Sequence, residues 1–147
     1  MTTFYLYLIQ DEIAKAYVGR EHILYDLFSR FVQATSLANR KILYKQIQYI
    51  TVPMQTNQLH NRVEQRLSFH PHYKRENKQH LLVHDGTLYG SLLIKRSYAR
   101  IEASNSDEVE TMFFEILRKN ERSFFAMNFT EKRYGWLNPI KQERKYV

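Results

Sequence analysis

The sequence of 147 residues contains no cysteine, which excludes disulfide bonds, thiolate metal ligands and a cysteine nucleophile. Its four glycines are scattered along the chain, and none belongs to a phosphate-binding loop. No apolar run approaches the ~20 residues of a membrane-spanning helix, and the first residues lack the basic and apolar regions of a signal peptide. We therefore expect a cytoplasmic protein that does not act at a membrane, because a chain without cysteine suits a reducing compartment.

Hydrophobic residues make up 44% of the chain and aromatic residues 14%, so we expect it to fold rather than to remain disordered. Its length is typical of one domain, which we expect to span residues 1–147. The formal net charge of +7 favours an anionic partner, which by charge alone is nucleic acid, an acidic protein or a membrane surface. The same charge is equally well explained as a means of keeping a small domain soluble.

The order of hydrophobic patterns predicts an α+β fold, in which a mixed and mostly antiparallel sheet is packed with several helices. Residues 4–9 are apolar on both faces, which is typical of a central strand. Asp85–Gly86 predicts a two-residue hairpin turn, because both positions tolerate positive φ. Helices are predicted from residue 11 to about 19 and over 21–34, 35–44, 54–67 and 107–119, the last with Asn105 and Ser106 as caps. Strands are predicted over 4–9, 47–52 and 123–129, with three more within 79–104, and residues 70–78 are predicted to form a loop.

Residues 133–141, RYGWLNPIK, hold the only tryptophan of the chain, Trp136. Gly135, between Tyr134 and Trp136, predicts a turn that directs the two rings to different sides. Asn138–Pro139 should end regular structure, because proline fixes φ and pushes the preceding residue towards extended geometry. We interpret this segment as a rigid aromatic corner, which either locks the terminal residues to the core or presents a surface.

The sequence shows no pattern for catalysis, since GxSxG and HExxH are both missing. His80 and His84 are expected to share one face of a strand, and His70 and His72 lie in the predicted loop. A metal site would need a third ligand and a second shell that orients the imidazoles, so ordinary surface histidines are the simpler explanation. We therefore expect no enzymatic activity, no metal and no cofactor.

Basic residues form two clusters in the sequence. The first comprises Arg62, Arg66, Lys74, Arg75 and Lys78, and the second comprises Lys95, Arg96 and Arg100. With Tyr73 beside the first cluster, one interpretation is a groove for single-stranded nucleic acid with a stacking ring. The other is a solvated helix face with a charged edge strand. No recognised nucleic-acid motif accompanies the charge, so we keep a basic nucleic-acid-binding domain as the alternative function.

The first predicted helix carries two apolar rows. Ala14 and Val18 form one row, and Ile13 and Tyr17 form another, about 100° further round the helix axis. A short helix packed on a sheet can bury one row well, which would leave Ile13 and Tyr17 partly exposed as a binding patch. Periodicity alone slightly favours the other interpretation, in which both rows are core.

Four segments of the chain together resemble the sporulation inhibitor of replication protein (SirA) family of spore-forming bacteria. They are TFYLYLIQDEIAKAYVGRE (residues 3–21), KQIQYITVP (45–53), ETMFFEIL (110–117) and RYGWLNP (133–139). None of these strings is a chemical motif, so the resemblance lies in their order, their spacing and the total length. It covers nearly the whole chain, with no match over residues 57–77.

The resemblance implies a non-enzymatic inhibitor of chromosome replication initiation, made early in sporulation, which binds the N-terminal domain (domain I) of the replication initiator DnaA. It implies partner-binding residues at Ile13 and Tyr17 in the first helix, at Gln46 and Tyr49 around the second strand, and at Pro139. The family pattern has a phenylalanine at position 13, where this chain has an isoleucine that keeps the position apolar. On this basis we expect an apolar patch that covers a surface the initiator needs, with Gln46 supplying a directional hydrogen bond.

Overall fold

In the computed structural model, which describes residues 1–104 and 107–141, eight strands form a sheet with helices on both of its faces. The expected capping residues Asn105 and Ser106 lie outside the described residues. The helices within those ranges are α1 (Asp11–Ala16), α2 (Glu21–Gln33), α3 (Leu37–Ile50), α4 (Thr56–Leu67) and α5 (Asp107–Arg118). The strands are β1 (Thr2–Ile9), β2 (Thr51–Val52), β3 (Tyr73–Glu76), β4 (Gln79–His84), β5 (Thr87–Ile94), β6 (Ala99–Ala103), β7 (Phe124–Asn128) and β8 (Arg133–Trp136). The predicted α+β fold is confirmed.

The strands follow the order β3-β4-β5-β6-β1-β7-β8, and β2 pairs with the end of β1. All of these pairs are antiparallel. Strand β1 lies between β6 and β7, as its apolar residues on both faces predicted. Its side chains alternate: Phe4, Leu6 and Leu8 belong to a core with α4 and α5, whereas Ile9 belongs to a second core with α1, α2 and α3.

Helix α3 continues to Ile50, so the strand predicted over residues 47–52 is wrong except for its last two residues, which form β2. Leu43 and Ile47 lie four residues apart on α3, and both are buried. The β-branched residues here favour a strand locally, but burial of this helical face overrides that preference. As a result Gln46 and Tyr49 lie on the last turns of a helix and not beside a strand.

The prediction for the β4–β5 turn is confirmed, because Asp85 and Gly86 have φ values of 49° and 74°. The loop predicted over residues 70–78 is only partly correct, since Tyr73–Glu76 form β3. Strand β3 lies at the edge of the sheet and pairs with β4 through a turn at Asn77, whose φ is 54°. The charged and exposed residues of β3 suit an edge strand, because they oppose pairing with the edge of another sheet.

The aromatic corner is the edge strand β8, which pairs with β7, so the turn predicted at Gly135 is wrong. Gly135 lies opposite Ala126, its φ is not positive, and an added Cβ would meet no atom within 4 Å. Tyr134 and Trp136 are two residues apart on a strand and face the same side, where both rings contact Phe125. Regular structure ends before Asn138–Pro139, as predicted.

Candidate functional site

Helices α1, α2 and α3 form the walls of an open groove of 540 Å³ on one face of the sheet. Four of the five residues singled out from the sequence line it: Ile13 and Tyr17 from the α1 segment, and Gln46 and Tyr49 from α3. The remaining lining residues are Ile23, Leu24, Asp26, Leu27 and Arg30 of α2, with Lys45 and Ile50 of α3. We call this cavity the three-helix groove.

The α1 wall of the groove has only part of the two rows that the sequence predicted, because α1 ends at Ala16 and not near residue 19, which leaves Tyr17 and Val18 after the helix. Ala14 is buried and Val18 is half-buried. Ile13 and Tyr17 are also half-buried and pack against the edge of the second core. Tyr17 directly follows α1, and the guanidinium carbon of Arg20 lies 5.1 Å from the centroid of its ring. Arg20 is held there, because it also donates a hydrogen bond to the carbonyl oxygen of Ala16 at 2.6 Å. The Tyr17 ring is therefore orientated while part of it faces solvent.

The α3 wall presents the most exposed aromatic side chain of the groove. Tyr49 is 75% exposed, and Gln46, three residues earlier, lies on the same helix face. The end of α3 is fixed to the beginning of α1, since the Gln10 side chain donates to the carbonyl oxygen of Tyr49 at 2.6 Å. The backbone that carries this exposed aromatic side chain is thus held in place, which suits a binding surface.

The α2 wall was not recognised in the sequence as part of a site. The apolar stripe of α2 is wider than the core needs: Leu24 and Phe28 are buried, but Ile23 is exposed and Leu27 is half-buried. Both Ile23 and Leu27 line the groove. The signal that could have identified them is the width of this stripe, which exceeds what one buried helix face requires.

Charged side chains border the groove on the side of α2 and α3. Asp26 and Arg30 form an ion pair along α2, and both side chains are exposed. Lys45 has no carboxylate partner within residues 1–104 and 107–141, so it contributes a free positive charge beside Gln46 and Tyr49. This arrangement favours an apolar partner surface with an acidic border.

Pro139 does not line the three-helix groove. It is exposed and follows β8, whereas its neighbour Ile140 packs against the same core that Ile13 and Tyr17 contact. Trp136 is half-buried in that core, with its ring centroid 4.8 Å from that of Phe125. The structure therefore brings four of the sequence-predicted residues together and leaves Pro139 apart from the groove.

His80 and His84 lie four residues apart on β4 and differ in exposure. His80 is fully buried, whereas His84, the last residue of the strand, is exposed, and its ring centroid lies 4.2 Å from that of His72. The register of β4 against β5 shifts between Leu82 and Val83, where Tyr89 of β5 is left without a partner on β4. That the two histidines share a face stays a prediction. Across the described ranges, no three His, Asp or Glu side chains are arranged to hold a metal ion.

His80 belongs to a buried chain of three polar side chains. Its Nε2 lies 2.7 Å from Nδ1 of His60, and its Nδ1 lies 2.7 Å from the hydroxyl oxygen of Tyr73. Burial, together with smaller contributions from the neighbouring His60 and Arg75, lowers the pKa of His80 from 6.5 to about 4. Burial also lowers the pKa of His60. Both rings are therefore neutral hydrogen-bonding groups near pH 7.

None of the helices in the described part of the chain is long and apolar enough to cross a bilayer. The family model "Sporulation inhibitor of replication protein SirA" matches residues 2–141. The chain is also 38% identical over 146 residues to the sporulation inhibitor of replication protein SirA of Bacillus subtilis (strain 168), and the match covers 98% of this chain and 97% of that relative. Both matches extend over the sheet and over all three helices of the groove. The chain therefore belongs to the SirA family of sporulation inhibitors of replication.

Proposed function

We propose that this protein inhibits the initiation of chromosome replication during sporulation, by binding domain I of the replication initiator DnaA through the three-helix groove. The observation that carries the proposal is that Ile13, Tyr17, Gln46 and Tyr49 line one cavity, although about thirty residues of sequence separate the two pairs. The Bacillus subtilis relative is named a sporulation inhibitor of replication, which supports the general role.

The chemistry of the groove suits a protein partner. Its lining is largely apolar, and Tyr49 and Ile23 are exposed large side chains whose burial on binding would be favourable. Gln46 adds a directional hydrogen-bonding group, and Lys45 adds a charge. A groove that is open along its length accepts an element of a folded partner, and occupation of the partner surface is sufficient for inhibition without any catalytic step.

The proposal is tested by titrating purified DnaA domain I into this protein in a calorimeter. Tyr49→Ala should weaken binding by at least about tenfold, because an exposed aromatic anchor is removed. Phe69→Ala is the matched control, since Phe69 is 92% exposed but does not line the groove. The affinity of this variant for domain I should equal that of the wild-type protein. Absence of binding by the wild-type protein, or an equal loss in both variants, would contradict the proposal.

The alternative function, a basic nucleic-acid-binding domain, predicts a different salt dependence. Binding that neutralises several phosphates loses affinity steeply as salt is added, whereas an apolar groove is much less sensitive. Titrations of DnaA domain I and of a DNA duplex, each at two salt concentrations, therefore distinguish the two functions. Binding of the duplex that is lost steeply as salt is added, without binding of domain I, would favour the nucleic-acid function.

A further inference from the structure

Members of both basic clusters of the sequence line a second cavity, next to α4, which packs on the face of the sheet opposite the three-helix groove. This cavity of 790 Å³ is formed by the beginning of α4, the β3–β4 turn and the end of β5. Four cationic side chains line it: Arg75, Lys78, Lys95 and Arg96. We call it the basic cavity.

Most of this positive charge is not neutralised within the protein. Arg75 pairs with Glu64 at 2.7 Å. The lining carboxylate, Glu76, pairs with Lys74 at 3.1 Å. Lys78, Lys95 and Arg96 have no ion pair among the residues that the structure describes, although the ammonium group of Lys95 lies 5.7 Å from the centroid of the Tyr98 ring. Three cations without a carboxylate partner therefore remain around one cavity, which favours an anionic ligand.

Helix α4 begins in the same place. Its first two residues, Thr56 and Asn57, line the basic cavity, its first turn holds no acidic residue, and no side chain caps its amide groups. The free N–H groups of a helix start carry partial positive charge and accept an anion well. The helix dipole thus adds to the charge of the three cations.

His60 provides an independent indication of a ligand. It lines the basic cavity and is only 6% exposed, and its Nδ1 is engaged by His80. Its Nε2 is open to the cavity and has no hydrogen-bond partner in the described ranges. When the Tyr73 hydroxyl donates to Nδ1 of His80, the Nε2–H of His80 donates to Nδ1 of His60, and the proton of His60 lies on Nε2; the opposite tautomers make this nitrogen an acceptor. The buried chain therefore ends at the cavity in a ring nitrogen that can donate a hydrogen bond to a ligand.

We propose that the basic cavity binds a small phosphate-bearing anion, with its phosphate groups beside Lys78, Lys95 and Arg96 and a hydrogen bond from His60. The volume is that of a small-molecule site, and Leu93 and Ile94 give it an apolar part. Convergence of the charges on a cavity favours a compact ligand over an extended strand, since Arg62 and Arg66 lie outside it. Nucleoside triphosphates and inorganic polyphosphate share this chemistry.

The test measures the affinity of the wild-type protein for ATP, for inorganic triphosphate and for a single-stranded oligonucleotide of fifteen thymidines, all at one ionic strength and without divalent cations. The double variant Lys95→Gln/Arg96→Gln removes two cavity cations. The matched control, Arg62→Gln/Arg66→Gln, removes the same charge from exposed positions of α4 outside the cavity. Thermal melting of the free proteins verifies that both variants fold.

We expect ATP and inorganic triphosphate to bind the wild-type protein and the control alike, and to bind the cavity variant at least roughly tenfold more weakly. Equal affinity for the two ligands would assign recognition to the phosphates, and tighter binding of ATP would assign it to the nucleoside as well. Binding of neither ligand, or an equal loss in both variants, would overturn the proposal. Tight binding of the oligonucleotide alone would also overturn it, in favour of a nucleic-acid surface.

Discussion

Gln10 connects two walls of the three-helix groove through Tyr49. Its side-chain amide donates to the carbonyl oxygen of Tyr49 at 2.6 Å, and its backbone N–H donates to the carbonyl oxygen of Ile50 at 2.9 Å. Gln10 directly precedes α1, which carries Ile13, and Tyr49 and Ile50 end α3. These two hydrogen bonds set the distance between the helices whose side chains form the proposed binding surface.

Gln10→Ala should therefore weaken binding of DnaA domain I more than it destabilises the fold. The variant loses one side-chain hydrogen bond, which lowers the free energy of unfolding by about 0.5–1.5 kcal/mol. The looser groove must be ordered on binding, and this reduces affinity. Urea denaturation and calorimetry measure the two effects. Gln33→Ala, which removes a Gln33–Ser29 hydrogen bond outside the groove, should leave affinity unchanged.

Tyr17→Ala tests whether the second row of α1 is a binding surface or core. Because Tyr17 is half-buried, its loss should reduce the free energy of unfolding by about 1–2 kcal/mol. Affinity for DnaA domain I should fall by at least about thirtyfold if the ring is a central anchor. A variant that melts far below the wild-type protein and still binds would assign Tyr17 to the core.

Trp136→Ala should destabilise the domain, because the ring packs on Phe125 and covers the second core. We expect a loss of about 2–4 kcal/mol, since the side chain is half-buried and not fully enclosed. Trp136→Phe should cost much less, because it keeps an aromatic ring and removes an indole N–H that is buried without a partner among the described residues. Thermal denaturation measures both. Equal losses in the two variants would contradict this account.

Pro139→Thr tests the residue that the resemblance implied and that lies outside the groove. Pro139 is exposed, so the substitution should leave the melting temperature unchanged. If the partner extends beyond the groove to the residues after β8, affinity should fall several-fold, because threonine lacks the rigid backbone and the apolar ring contact of proline. Wild-type affinity would confine the binding surface to the three helices.

The buried histidines should make the fold sensitive to mild acid. The pKa of His80 is lowered from 6.5 to about 4, so the unfolded chain binds a proton more readily than the folded chain between these values. Stability should be constant above pH 6.5 and decrease as the pH falls towards 4. At about 1.4 kcal/mol per pH unit, the free energy of unfolding should fall by about 3 kcal/mol between these two pH values. Urea denaturation across this range measures it.

His80→Gln is the control for that prediction, because glutamine retains hydrogen-bonding groups but does not titrate. This variant should be less stable near pH 7 and should show a shallower dependence on pH. An unchanged pH dependence would assign the sensitivity to other groups. His60 is the nearest of these, since its Nδ1 lies 2.7 Å from His80 and burial lowers its pKa as well, so it adds to the loss of stability below pH 6.5. The hydrogen bond of Glu64 with Arg75 keeps the pKa of its carboxyl below the usual value, so its effect belongs to a lower pH.

The elements that sequence reasoning predicted well are those whose signal is local. Residues of β1 alternate between two cores, α5 repeats its apolar residues at helical spacing, and Asp85–Gly86 supplies the positive φ values of a hairpin. The edge strands β3 and β8 were missed because an edge strand pairs on one side only and tolerates polar residues and glycine. Their existence depends on β4 and β7, which are already in the sheet.

For the candidate site, the sequence by itself determined that Ile13 and Tyr17 are apolar neighbours four residues apart at the beginning of the helical region. The tertiary structure alone decided that α1 ends before Tyr17 and that both side chains line one groove with Gln46 and Tyr49. Local preference predicted a strand near these last two residues, but burial of Ile47 on the core extended α3 and placed both side chains on its last turns. Long-range packing also brought members of the two basic clusters to one cavity and set Pro139 apart, since no local pattern encodes contacts between residues distant in sequence.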